Sequence, residues 1–144
     1  MPDIRHLITI DAAPDVLYPL VASPAGFTQW WAEDVTGPDS AGAVELGFFN
    51  RSTIYRLVPV ELLTNRKARW SCTTGEEWEG TLIESLLEPI PTGTRLRFSH
   101  SGWREATDYF TSCNTTWGGL MFHLKGVAEG RSPGPLFSRG GLAY

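Results

Sequence analysis

The stretch that decides the fold is TRLRFSHSGWREATDYFTSCNTTWGGLMFHLKGV, residues 94–127. Its first part, residues 94–100, alternates apolar and polar side chains with a period of two, which is typical of a half-buried strand. Its second part repeats large apolar side chains at every seventh position: Trp103, Phe110, Trp117 and Leu124. This spacing predicts an amphipathic helix over residues 103–127, which the hydroxyl of Ser101 can cap.

Before this stretch, the pattern predicts one strand, two short helices and a run of antiparallel strands. The first strand covers residues 4–10. Pro14 and Pro24 then open two short helices, since a proline in the first turn has no N–H to leave unpaired. The later strands are expected at four places, residues 44–48, 54–63, 67–72 and 78–87.

An antiparallel sheet of this kind must bury one face, and the long helix is the element available to cover it. The sequence therefore predicts an α+β fold in which a curved antiparallel sheet wraps around a long C-terminal helix and leaves a cavity between them. We expect residues 1–130 to form a single ligand-binding domain and residues 131–144, which are rich in Gly and Pro, to form a tail.

Composition excludes several classes of protein. The chain has 144 residues, 12 Lys and Arg against 16 Asp and Glu, and a net charge of −4, so it lacks the basic character of a nucleic-acid binder. No apolar run is long enough to span a bilayer, and two cysteines do not make a disulfide framework. With no signal-peptide pattern at the start, we expect a cytoplasmic protein with free thiols.

Residues for metal or acid–base chemistry are scattered along the chain. His6, His100 and His123 have no metal-ligand spacing, and Cys113 lies about 15 Å of helix rise from His123, so no cysteine–histidine dyad forms within that helix. We predict no cofactor and no metal. The acidic run Glu76, Glu77 and Glu79 has two interpretations, a solvated strand end or a carboxylate at the cavity mouth.

The aromatic content, six Trp, four Tyr and seven Phe residues, is 12% of the chain, and it is typical of a filled core or of a pocket wall. His100 and Asn114 are the polar candidates that could orient a ligand in this apolar setting. The predicted ligand-binding residues are Trp30, Trp31, Phe48, Trp70, Phe98, His100, Trp103, Phe110, Asn114, Trp117 and Met121.

A series of motifs spread over residues 3–130 carries a family resemblance. They are Ile8-Thr9-Ile10-Asp11-Ala12-Ala13-Pro14, Trp30-Trp31, the run from Gly93 to Trp103, Trp117, Leu124-Lys125 and Glu129-Gly130. With these motifs the chain resembles the START-like (SRPBCC) superfamily, and within it the branch named after activators of the ninety-kilodalton heat-shock protein ATPase. The resemblance implies a helix-grip fold, the arrangement that the residue pattern predicts independently.

For function, the resemblance and the residues leave three hypotheses. The first is binding of a small hydrophobic or amphipathic ligand in the cavity, without catalysis. The second is an enzyme of the cyclase, dehydratase or hydrolase kind, for which a buried carboxylate–histidine pair would be the signature. The third is a co-chaperone-like interaction domain with a chaperone partner or a second copy of the chain, for which an exposed aromatic patch at Trp30-Trp31 would be the signature.

Overall fold

The structure of the protein, a computed structural model, describes residues 1–140. In chain order, its elements are β1 (Ile4–Ile10), α1 (Pro14–Ala22), α2 (Pro24–Trp30), β2 (Val35–Thr36), β3 (Val44–Phe48), β4 (Thr53–Leu63), β5 (Lys67–Cys72), β6 (Leu82–Ile90), β7 (Gly93–Ser101) and α3 (Asp108–Ala128). The strands form one antiparallel sheet in the order β1-β7-β6-β5-β4-β3-β2. The sheet curves around α3, which confirms the predicted helix-grip arrangement with two short helices after the first strand.

The apolar stripe of α3 is the face that packs into the core. Its buried side chains include Cys113, Trp117, Leu120, Met121 and Leu124. The opposite face carries polar residues and the exposed Phe122. The helical period read from the sequence therefore identifies the buried face correctly.

The start of α3 differs from the prediction. The helix begins at Asp108, where the hydroxyl of Thr107 accepts a hydrogen bond from the Phe110 N–H at 3.1 Å. Ser101 ends β7 and does not cap the helix. Between them, Gly102 adopts a left-handed φ of 84° that turns the chain, so that Trp103 enters the core from a connecting segment. A threonine cap followed by an acidic residue is the stronger start signal, and it lies later in the chain.

Residues 78–81, predicted as the beginning of a strand, belong instead to the β5–β6 connection. Gly75 and Gly80 both have left-handed φ values, 99° and 87°, which an extended strand does not use. The turn between them lets Gly80 pair with the carbonyl of Cys72 at 2.9 Å, and β6 starts only at Leu82. The ring of Trp78 nevertheless points into the core, with 5% of the residue exposed.

The two short helices pack closely on each other at Gly26. A Cβ atom at this position would lie 2.1 Å from the carbonyl oxygen of Pro19, so only glycine permits this approach. Trp30, at the end of α2, donates its indole N–H to the carbonyl of Leu20 at 2.8 Å. In the assembled fold α1 contacts β5 and β6, and α2 contacts α3.

The segment after α3, expected to be a tail, lies against α2. The N–H groups of Leu136 and Phe137 donate to the carbonyls of Trp30 and Trp31 at 3.1 and 3.0 Å. The N–H of Glu33 donates back to the Phe137 carbonyl at 3.0 Å. Residues 141–144 of the predicted tail lie outside the described residues. The chain following α3 thus adds apolar side chains next to the core.

The last turn of α3 is fixed to the edge strand β1. Lys125 donates its ammonium group to the carbonyl of Thr9 at 2.8 Å, and Glu129 accepts the N–H of Asp11 at 2.8 Å. Lys125 and Glu129 also pair with each other at 2.6 Å. The lysine and the Asp11 N–H together lower the pKa of Glu129 to about 2. This contact occupies backbone groups at the end of an edge strand that would otherwise be open.

Gly118 and Gly119, in the middle of α3, are positions where alanine should stabilise the protein. An added Cβ would approach His6 at 3.7 Å from Gly118 and Leu136 at 3.9 Å from Gly119, which are ordinary contact distances. Gly118→Ala and Gly119→Ala should each raise the free energy of unfolding by about 1 kcal/mol, because alanine loses less backbone entropy in a helix.

Urea unfolding followed by circular dichroism measures this gain. Gly126→Ala is the matched control on the same helix, since its Cβ would lie only 3.2 Å from Pro133 and should yield a smaller gain or none. A loss of stability in both central variants would show that the helix needs glycine there.

Candidate ligand-binding site

A cavity of about 280 Å³ lies between the first half of α3, the β3–β4 hairpin, the turn after β5 and the segment that follows α3. Eight of its fourteen lining residues are aromatic. The lining residues are Trp31, Phe48, Phe49, Thr53, Tyr55, Trp78, Tyr109, Ser112, Cys113, Thr116, Trp117, Leu120, Leu136 and Phe137. A concave, mostly apolar space with a few polar groups is the usual form of a small-molecule site.

Aromatic rings from separate elements hold one another in the cavity wall. Tyr55 on β4 stacks on Trp78 with ring centroids 3.8 Å apart and planes 6° apart. Phe137 meets Phe48 edge to face at 4.9 Å. These contacts restrict the rings before any ligand arrives, so the wall is preorganised.

The polar groups of the cavity are uncharged at neutral pH. The hydroxyls of Tyr55 and Tyr109 are hydrogen-bonded to each other, and burial raises the pKa of Tyr55 well above its usual range. Burial also raises the pKa of Tyr109 to about 12. The pKa of the Cys113 thiol is raised by the same cause. The cavity therefore offers neutral hydroxyl and thiol groups and neither a phenolate nor a thiolate.

His100 is fully buried behind the cavity wall. The Trp117 indole N–H donates to its Nδ1 at 3.1 Å, so that nitrogen carries no proton. Its Nε2–H then donates to the Thr81 hydroxyl at 2.8 Å, which in turn donates to the Trp78 carbonyl at 2.6 Å. Burial lowers the pKa of His100 to about 3. The neutral imidazole thus links two tryptophans of the wall and has an identifiable structural role.

The predicted ligand-binding residues divide into three groups. Trp31, Phe48 and Trp117 line the cavity. Six others are buried outside the lining: Trp30, Trp70, Phe98, His100, Trp103 and Met121. Phe110 is half-buried against Trp103, with ring centroids 5.2 Å apart, and Asn114 is exposed at the flank of the α3 stripe. The structure therefore places Asn114 in solvent, where it cannot orient a ligand inside the cavity.

Sequence reasoning missed five aromatic residues of the lining: Phe49, Tyr55, Trp78, Tyr109 and Phe137. Tyr55 had a readable signal, since alternation along β4 puts it on the same inner face as Leu57. Tyr109 and Trp78 lie in the lining because of where α3 and β6 begin. Phe137 lies there because the chain after α3 returns over α2. For these three, local periodicity carries no signal.

The acidic run lies next to the cavity mouth. Glu76 and Glu77 border a groove that shares four lining residues with the cavity: Phe49, Thr53, Tyr55 and Tyr109. The hydroxyl of Thr107 donates to the Glu77 carboxylate at 2.5 Å, while Glu79 on the same turn is exposed and borders neither space. The carboxylates thus lie on a turn beside the mouth, on neither a strand nor the cavity wall.

Within residues 1–140, no three or more His, Cys, Asp and Glu residues are grouped to hold a metal ion. The helices of the same residues include none that is long and apolar enough to cross a bilayer.

Solved structures are similar to this chain over most of its length. The Aha1 dimer from Colwellia psychrerythraea has a TM-score of 0.80 and 30% identity, covering 90% of this chain and 97% of that chain. An AHSA1-like protein from Rhizobium etli has a TM-score of 0.70 and 25% identity, covering 96% and 89%. A protein from Mesorhizobium loti has a TM-score of 0.74 at 15% identity, covering 86% and 94%. No protein-family model and no curated protein matches the sequence significantly.

Proposed function

Because the chain belongs to the Aha1-like branch of the START-like (SRPBCC) superfamily, we propose that it binds a small apolar or amphipathic molecule, in the cytoplasm, in the cavity between the sheet and α3. The aromatic cavity of about 280 Å³ is the observation that carries this proposal. Its size suits a molecule of one or two rings, since it lies at the lower end of the roughly 300–1,000 Å³ typical of ligand sites.

Blocking the cavity should weaken ligand binding. Thr116 borders the cavity, so the larger ring in Thr116→Phe should fill the space and weaken binding of naphthalene-sized molecules by at least about tenfold. Isothermal titration calorimetry against a panel of neutral aromatic and polyketide-like molecules measures this effect.

Thr115→Phe is the matched control for this experiment. Thr115 is exposed, and like Thr116 it donates its hydroxyl to the carbonyl four residues earlier, at 3.4 and 3.2 Å respectively. Equal binding by wild type and both variants would place the ligand elsewhere, and a panel without any binder would contradict the proposed function.

We expect a bound molecule to be recovered unchanged. Proton abstraction and nucleophilic attack need a group that is ionised, or activated by a base within reach. In the cavity, the raised pKa values of Tyr109 and Cys113 keep both groups protonated at pH 7. Mass analysis after incubation with a binding molecule tests this expectation. Turnover that Glu77→Gln removes while binding persists would support the enzyme hypothesis instead.

Self-association is a second proposal, because a relative at 30% identity has been solved as a dimer. Light scattering after size-exclusion chromatography should give a mass near twice 15.9 kDa at micromolar concentration, and a mass of one chain would contradict it. A chaperone partner stays a prediction from the family. Trp30 and Trp31 are each only 2% exposed, so they do not form the exposed patch considered for it.

A further inference from the structure

We propose that the cavity, if it binds ligands as proposed above, selects a small aromatic molecule that carries a protonated amine, with the ring among the aromatic walls and the ammonium group at the mouth between Tyr109 and the carboxylates of Glu76 and Glu77. This inference rests on the proposed function and adds the chemical class of the ligand.

Aromatic side chains line both the cavity and its mouth. Five Trp and Phe side chains line the deep part, and three more aromatic residues stand toward the mouth, namely Phe49, Tyr55 and Tyr109. Phe49 and Tyr109 are 54% and 39% exposed, so their rings are accessible from solvent. The face of an aromatic ring carries a negative quadrupole that attracts a cation within about 6 Å. Solvent-accessible aromatic rings at an opening favour a cationic group over an anionic one.

The charged side chains around the opening are acidic. Within residues 1–140, the cavity and the mouth groove together are lined by two carboxylates, Glu76 and Glu77, and by no Lys, Arg or His side chain. Arg51, on the hairpin that follows Phe49, is held by Asp34 at 2.7 Å and by Glu45. A ligand carboxylate in this place would meet no positive partner, and burying it would be costly.

The carboxylate of Glu77 interacts electrostatically with Tyr109 and Cys113, two residues that line the cavity. Burial is the main cause of the raised pKa values of Tyr109 and Cys113, and the Glu77 carboxylate adds to both in the same direction. The adjoining surface, which Glu76 and Glu77 also border, holds Arg104 and Glu105; these add one positive and one negative formal charge and leave the sum around the mouth unchanged. The net field at the mouth therefore remains that of the two glutamates.

Three molecules of matched shape test the inference by calorimetry at pH 7: 1-naphthylmethylamine, 1-naphthalenemethanol and 1-naphthoate. The amine, which is protonated at this pH, should bind about tenfold more tightly than the alcohol, and the carboxylate at least about tenfold more weakly. The preference for the amine should shrink as salt is raised to about 1 M, because the mouth is open to solvent.

Substitutions at the mouth locate the preference. The double variant Glu76→Gln with Glu77→Gln should bind the amine and the alcohol about equally, while its affinity for the alcohol stays that of the wild type. Glu79→Gln removes one carboxylate charge from the same turn, outside both linings, and should keep the amine preference.

The outcomes separate the two proposals. Binding of the alcohol without a preference for the amine, or a preference that survives in the double variant, would overturn the amine inference and leave the ligand site standing. Failure of all three molecules to bind the folded wild-type protein would overturn the proposed function as well. Circular dichroism of each variant confirms that it is folded.

Discussion

Replacing Trp117 by alanine is expected to lower the free energy of unfolding by about 3–5 kcal/mol, as removal of a buried aromatic side chain does. Trp117 is 1% exposed and packs against Phe98 and Trp31, with ring centroids 4.4 and 5.0 Å apart. The change would also leave Nδ1 of His100, a residue that is 0% exposed in the folded protein, without its donor. An unpaired buried acceptor costs about 1–3 kcal/mol, which places the loss toward the upper end of the expected range.

Urea unfolding followed by far-ultraviolet circular dichroism is the suitable measurement, since it does not depend on tryptophan emission. Trp117→Phe should destabilise the protein less than Trp117→Ala, because phenylalanine keeps an aromatic ring in the core. Both variants lose the hydrogen bond to His100. Phe122→Ala is the control on the same helix: Phe122 is 68% exposed, and its removal should change stability by less than about 0.5 kcal/mol. If Trp117→Ala behaved like this control, the proposed packing of α3 on the sheet would be wrong.

Acid should destabilise the protein through His100. Burial lowers the pKa of this imidazole from 6.5 to about 3, so as pH falls the unfolded chain takes up the proton first. The contribution of His100 to stability is therefore complete above pH 6.5 and is lost as pH falls from 6.5 towards 3. A shift of this size corresponds to up to about 5 kcal/mol, a large part of the stability of a domain this size.

Unfolding free energies measured at several pH values between 7.5 and 3.5 test this expectation. His100→Gln keeps an acceptor for Trp117 and a donor for Thr81 but cannot take up a proton, so its stability should fall less steeply with acid. If this variant does not fold, nitrogen chemical shifts of the wild-type imidazole give the answer directly. They should show a proton on Nε2 and no titration above about pH 4. A wild-type imidazole that titrates near 6.5 would refute the burial argument.

Much of the architecture could be read from local patterns. The alternation around Leu96 and Phe98 and the stripe through Trp117 and Leu124 each report which side of an element is apolar, and both are buried in the structure. Prolines at the first turn mark α1 and α2 correctly, at Pro14 and Pro24. These signals are local because strand and helix geometry repeat over a few residues.

Element ends were harder to predict, because several start signals compete within a few residues. Ser101 and Thr107 are both capable caps, and the left-handed turn at Gly102 decides for Thr107. The glycines around Trp78 likewise decide between a strand and a turn. Each choice moves a side chain of the candidate site: the later helix start places Tyr109 at the mouth, and the turn places Glu77 beside it.

The amino-acid pattern alone was sufficient for the sheet, the long helix and the apolar face between them, since each depends on the period of a single element. The membership of the cavity wall depended on the folded chain. Trp103 and Trp31 are equally buried and equally aromatic, yet only Trp31 borders the open space. Periodicity predicts which side chains point inward. It does not predict which of these are packed against another element and which border the cavity. That depends on strand register, on the curvature of the sheet and on where Phe137 comes back to pack.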